Sequence, residues 1–180
     1  MLLALKKLKR CIPGASVFTT ALLIIVFSLF LYTNGYGQSN LSGTWVLQSH
    51  EKVSGTTAYD LTGIITIDQQ TDSLGITTYG FTGEHKLITN RQTAAMNGKP
   101  VKGISGATFK NYLKSLKWSA DKTALVITTI FYSDDNFKEV EFTRIETLSL
   151  SADGKQLNFG RKSAETKNES WETKGVYVKK

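Results

Sequence analysis

Between Tyr112 and Arg161 the chain keeps a rhythm that only a β fold can accommodate. Short runs of β-branched and aromatic residues are divided by tight polar clusters. Ser119-Ala120-Asp121-Lys122 separates LKW from TALVITT, Asp134-Asp135-Asn136 separates FYS from FKEVEF, and Ser151-Ala152-Asp153-Gly154 separates LSL from KQLNF. Ser and Asp side chains bond to nearby backbone in such turns, and Gly154 takes the left-handed conformation that closes a short hairpin loop. Lys122 stands where a glycine would fit more easily. Residues 112–161 therefore read as about four consecutive strands joined by tight loops. The echo between WSADKTALVI and LSADGKQLNF is one hairpin long and reads as shared turn chemistry, not as a tandem repeat.

The rest of the chain follows suit. Residues 38–180 hold 19 Thr against 8 Ala and a single proline, Pro100. Thr favours strands and Ala favours helices. The expected strands are 43–50, 61–68, 75–81, 85–91, 112–118, 124–132, 137–150, 155–161 and 171–178. This spacing predicts an all-β domain over 38–180, an antiparallel meander closing into a barrel of about 8–9 strands. A short helix is conceivable at 106–115, where Phe109, Tyr112, Leu113 and Leu116 share a face, though strand fits its second half better. The polar run 162–170 reads as the best flexible loop.

Alternation shows which side chains point inward. In 137–142, Val140 and Phe142 share one face and Glu139 and Glu141 the other, as in a half-buried strand. Continuing that phase turns Arg144 and Glu146 inward, followed by Leu148 and Leu150. An inward arginine offers a site for an anionic headgroup. A bulge near Thr143–Glu146 that swaps the phase, or a local ion pair, explains the pattern more simply. Residues 124–132 are apolar on both faces and read as a central strand. Leu157, Phe159 and Arg161 share a face.

The N-terminus reads as an export signal. Lys6, Lys7, Lys9 and Arg10 precede an apolar stretch of 16 residues, Val17–Tyr32, and small residues follow at Gly35 and Gly37. Basic, apolar and small-x-small segments in that order form a signal peptide over 1–37. The alternative is an uncleaved anchor, but a spanning helix needs about 20 apolar residues. Cys11 precedes the apolar stretch, so it is not a lipobox cysteine. The expected location is periplasmic or secreted, with membrane contact only through this segment. Cleavage after Gly37 would leave 18 Lys and Arg against 15 Asp and Glu, a net charge of +3 instead of +7. These charges are scattered, not striped, which argues against nucleic-acid binding.

No catalytic constellation is legible. There is no G-x-S-x-G elbow and no cysteine beyond residue 37. Glu84-His85 and His50-Glu51 are adjacent pairs, and neighbours on a strand face opposite ways. Asp134-Asp135 lacks the spaced oxygen ligands of a calcium loop. Neither an enzyme, a metal site nor a cofactor is expected.

A family resemblance rests on an ordered set of motifs. Gly43-Thr44-Trp45 resembles the G-x-W opening of lipocalins and bacterial lipocalin-like domains. Asn97-Gly98-Lys99-Pro100-Val101-Lys102-Gly103, then Ser151-Ala152-Asp153-Gly154-Lys155-Gln156-Leu157, then Val176-Tyr177-Val178-Lys179-Lys180 resemble segments found in that order in exported bacterial lipocalin-like proteins. The resemblance implies a calycin-type barrel in which Trp45 packs at the closed end, under an arginine from a late strand such as Arg161 or Arg144. Two functions follow. The barrel binds a small apolar or amphipathic ligand, with Trp118, Phe131, Tyr132, Phe142 and Arg144 as candidate lining. Alternatively those rings simply fill the core, and the domain is an envelope module that contacts another protein or a glycan.

Overall fold

The computed structural model describes residues 39–56, 61–81, 87–106 and 108–180. The expected signal segment and the Glu84-His85 pair lie outside them. Ten strands follow in order: β1 (Gly43–Ser54), β2 (Ile64–Gln69), β3 (Ser73–Phe81), β4 (Leu87–Ala95), β5 (Val101–Ile104), β6 (Asn111–Trp118), β7 (Ala124–Tyr132), β8 (Val140–Leu150), β9 (Gln156–Glu165) and β10 (Trp171–Lys179). They form one antiparallel sheet in the order β4-β3-β2-β1-β10-β9-β8-β7-β6-β5. Chain neighbours pair throughout, with one exception: among the described residues no ladder joins β4 to β5. The two halves of the sheet are instead joined by β10 returning to β1.

The sheet curls into an open half-barrel. Its two ends approach each other closely enough for Lys114 of β6 to donate a hydrogen bond to Gln92 of β4. Two expectations are corrected here. There are ten strands, not eight or nine, and among the described residues no backbone ladder closes the sheet. The added strand is β5, only four residues long and preceded by Pro100, which has no N–H to offer a neighbour. A very short edge strand is a common way to blunt a sheet edge.

The helix conceived at 106–115 is also absent. Phe109 N donates to the Ser105 carbonyl at 2.7 Å, Phe109 takes a left-handed φ of 56°, and strand begins at Asn111. The loop expected at 162–170 is shorter, because β9 continues to Glu165 and Ser163 is fully buried. Along β8 the pairing with β7 runs from Phe142 to Ser149 without a shift. The irregularity lies at Phe131/Tyr132, so no bulge swaps the phase near Thr143–Glu146.

The two S-A-D loops are the same structure. Ser151 Oγ donates to Asp153 Oδ1 at 2.6 Å and accepts Gln156 N–H at 3.0 Å. Ser119 Oγ donates to Asp121 Oδ1 at 2.6 Å and accepts Ala124 N–H at 3.0 Å. Gly154 has φ 69° and Lys122 has φ 60°. The left-handed region costs a non-glycine residue about 1–2 kcal/mol, offset in part by the greater freedom glycine loses on folding. Lys122→Gly is therefore expected to stabilise by about 0.5–1 kcal/mol. Chemical denaturation would check this, and an unchanged midpoint would show that the loop carries no strain.

These loops also carry an acid dependence. The Ser119 hydroxyl and the Thr123 N–H and hydroxyl hold the Asp121 carboxyl below its usual range, and Ser151 and the Lys155 N–H do so for Asp153. A depressed carboxylate stabilises the fold above its unfolded pKa, and this contribution fades as pH falls through the folded value. Stability should therefore fall below about pH 4. Asp121→Asn should flatten that slope, which a pH series of thermal melts would show.

Candidate functional site

Strand alternation and register sort the inner face into rows that cross β6 to β10. The outermost row is Tyr112, Phe131, Phe142 and Glu165. Next come Lys114, Thr129, Arg144, Ser163 and Trp171. Below them lie Leu116, Ile127, Glu146, Arg161 and Thr173. Trp118, Leu125, Leu148, Phe159 and Gly175 form the next row. The inner face thus passes from an aromatic rim, through two charged rows, to an apolar floor.

The floor is a packed core. Trp45, Leu125, Leu148 and Leu157 are all fully buried, and Ile65, Ile67, Leu74 and Leu116 are nearly so. Trp45 Nε1 donates to the Leu41 carbonyl at 3.0 Å, so the indole keeps a polar partner while its ring is buried. The cation over that ring is Lys179, 5.5 Å from its centroid. Arg161 is elsewhere: it lies over the Phe159 ring and its guanidinium meets Glu146 Oε1 at 2.8 Å. Tyr177 is buried below this pair and donates to the Thr62 carbonyl at 2.8 Å. Burial pushes its hydroxyl up to about 12, so it stays neutral.

Above the floor the curl encloses a cavity of about 860 Å³. One part of its lining is apolar, from Ile65, Ile76, Ile127 and Leu148. The other part is polar, from Asn90, Gln92, Lys114, Thr129, Arg144, Glu146 and Arg161. Burial lowers the Lys114 pKa, Glu146 opposes that shift and Arg144 adds to it. Lys114 therefore senses both charges of β8, two strands away. The Tyr112 ring also lies on this wall and rests on Gly103, where an added Cβ would meet its ring atoms at 2.4 Å.

Of the five candidate lining residues, the structure brings three together. Phe131 and Phe142 stack with centroids 4.3 Å apart. The Arg144 guanidinium lies 5.5 and 5.4 Å from those two rings and 5.5 Å from Trp171. Trp118 is placed lower, against the core, and its Nε1 is buried with no hydrogen-bond partner among the described residues. Tyr132 follows the irregularity in β7 and packs edge-on against Phe137, 5.2 Å away, outside the cavity. The ion pair anticipated for the charged stretch of β8 exists, but its cation is Arg161 of β9.

Lys114 and Trp171 belong to the same constellation and were not singled out from sequence. Lys114 was within reach, since the phase Tyr112, Lys114, Leu116, Trp118 places it inward. Among the described residues no group of three or more His, Cys, Asp or Glu side chains is arranged to hold a metal. No protein-family model and no curated protein matches this chain.

Proposed function

We propose that this chain is an exported lipocalin-like protein that binds a small apolar or amphipathic molecule on the inner face of its curled sheet. The observation that carries this reading is the cavity of about 860 Å³ above the core, lined in part by apolar side chains. Ligand sites are typically concavities of about 300–1,000 Å³ with few, well-placed polar groups. Export rests on the basic, apolar and small-residue order within 1–37. The reading is of a binder because the described residues of the site gather cations, rings and apolar side chains around one cavity.

The test is native mass spectrometry of the protein released by an exporting host, followed by organic extraction. A reproducible co-purifying small molecule is expected, and the intact mass should start at Gln38. A ligand-free mass, with no thermal shift from a panel of apolar and amphipathic molecules, would overturn the binding reading.

One observation favours the envelope-module alternative. On the outer face Val46, Ile64 and Tyr79 form one cross-strand row, and Ile64 and nearby Leu87 are exposed. Pull-down from envelope extracts that depends on Ile64 and Leu87, alongside a ligand-free cavity, would select this second account.

A further inference from the structure

We infer that the outer edge of β4, along Leu87–Arg91, takes up an extended peptide segment of a partner protein, which adds to the sheet as a further strand beside the cavity. This goes beyond the small-molecule reading and does not depend on it.

Register identifies the backbone groups on offer. Met96 N donates to the Asp72 carbonyl at 2.7 Å, which makes 72 and 96 a hydrogen-bonded pair in line with the β3–β4 ladder. Such pairs alternate with non-bonded ones along antiparallel strands. Asn90, Gln92 and Ala94 therefore bond to β3, while Leu87, Thr89 and Arg91 turn their N–H and C=O groups away from it. Among the described residues no strand receives those groups. Residues 89–93 are exposed at every position, on both faces of the strand.

The two ends of the sheet are guarded differently. β5 is four residues long, follows Pro100 and carries Lys102, and all three features discourage strand pairing. β4 has nine residues, no proline and one charge, Arg91, whose guanidinium is engaged by Asp68 at 3.4 Å.

The opening beside β4 is closed at the floor and free above. The 96–100 loop is bonded to both sides, through Met96 to Asp72 and through Gly98 N to the Leu116 carbonyl at 2.9 Å. Higher up, the Lys114 ammonium donates to Gln92. β4 approaches β6 but scarcely β5. A strand seated between two others needs them about 10 Å apart. A second copy would bring its whole curl to an opening that single side chains bridge, so one extended segment is the better fit.

An extended backbone matches this edge because it presents N–H and C=O groups at every second residue, with the same repeat as β4. Asn90 and Gln92 line the cavity from β4. Alternate side chains of the added strand would therefore enter the cavity and the others would face outward. The partner segment is extended, free of proline and about five to six residues long.

In the test, a library of random peptides of about eight residues is panned against the full chain. Enriched peptides are remade with N-methyl groups on alternate backbone amides, in each of the two phases. Edge pairing uses one phase only. One series should bind about tenfold or more weakly than the other, since it loses the hydrogen bonds to β4. Thr89→Pro removes an N–H that points away from β3, which an edge strand tolerates. It should weaken peptide binding about tenfold or more and leave the melting temperature near that of the parent. The phase comparison uses only the unaltered protein, so a variant that fails to fold does not blunt it. No enriched peptide, or equal effects of the two phases, would overturn the proposal. So would a concentration-dependent dimer of the full chain that Thr89→Pro dissolves, which would assign the edge to a second copy. Each of these outcomes leaves small-molecule uptake, measured by mass, untouched.

Discussion

Replacing Trp45 by alanine is expected to lower stability by about 3–5 kcal/mol. The residue is fully buried in the floor of the curl. It is also linked to three separate parts of the chain. Its Nε1 is bonded to the Leu41 carbonyl, its backbone pairs with Ile65 on β2 and Lys179 on β10, and the Lys179 ammonium lies over its ring. Alanine would leave a cavity, an unanswered carbonyl at Leu41 and a lysine without its ring. Domains of this size have about 5–15 kcal/mol of total stability, so the loss is a large share. Thermal or chemical denaturation should show a midpoint lowered by roughly 10 °C. A variant as stable as the parent would mean that the floor of the curl is not what holds it together.

The second large effect is expected at Glu146. Glu146→Gln should cost about 1–3 kcal/mol, because Arg161 then shares a desolvated face with Lys114 and Arg144 and no facing carboxylate within its row. The full penalty for breaking a buried pair is higher, but these side chains are 21% and 20% exposed, and water recovers part of it. The pairing itself is separable by a double-mutant cycle. Adding Arg161→Met to Glu146→Gln should restore part of the loss, since the stranded charge is gone. If the two changes simply add, the pair is not coupled and the charged rows do not act as one network.

Much of the sheet was legible because its signals are local. The loops at Ser119–Lys122 and Ser151–Gly154 fold through bonds that span five residues or fewer, between side chains named in the sequence and their own backbone. The inward phase of Arg144 and Glu146 followed from simple alternation along β8. Other features depend on distant partners. β5 is four residues long, and its Val-Lys-Gly-Ile pattern has no period to read. β1 continues beyond residue 50 into the polar segment Glu51–Ser54 only because β10 pairs with it there. The partner of Glu146 was invisible for the same reason. Two residues that meet across β8 and β9 are named by register, and register depends on the hairpin at Ser151–Gly154 holding its length. The gap between β4 and β5 is likewise a property of the whole curl and not of either segment.

The return of β10 to β1 sets an order of events. β1 pairs with β2 along Gly43–Val46, but among the described residues Ser49–Ser54 find their ladder partner only in 172–176, which follow every other strand. Every other ladder joins strands adjacent in sequence and can zip as soon as both have been made. The latch cannot, because its second half is synthesised after all the other strands. Pairing across such a separation is slow, since the loop must be gathered before any contact rewards it. A chain threaded amino end first through a narrow pore would therefore emerge as a row of loosely joined hairpins. It would set into its final form only once β10 came through.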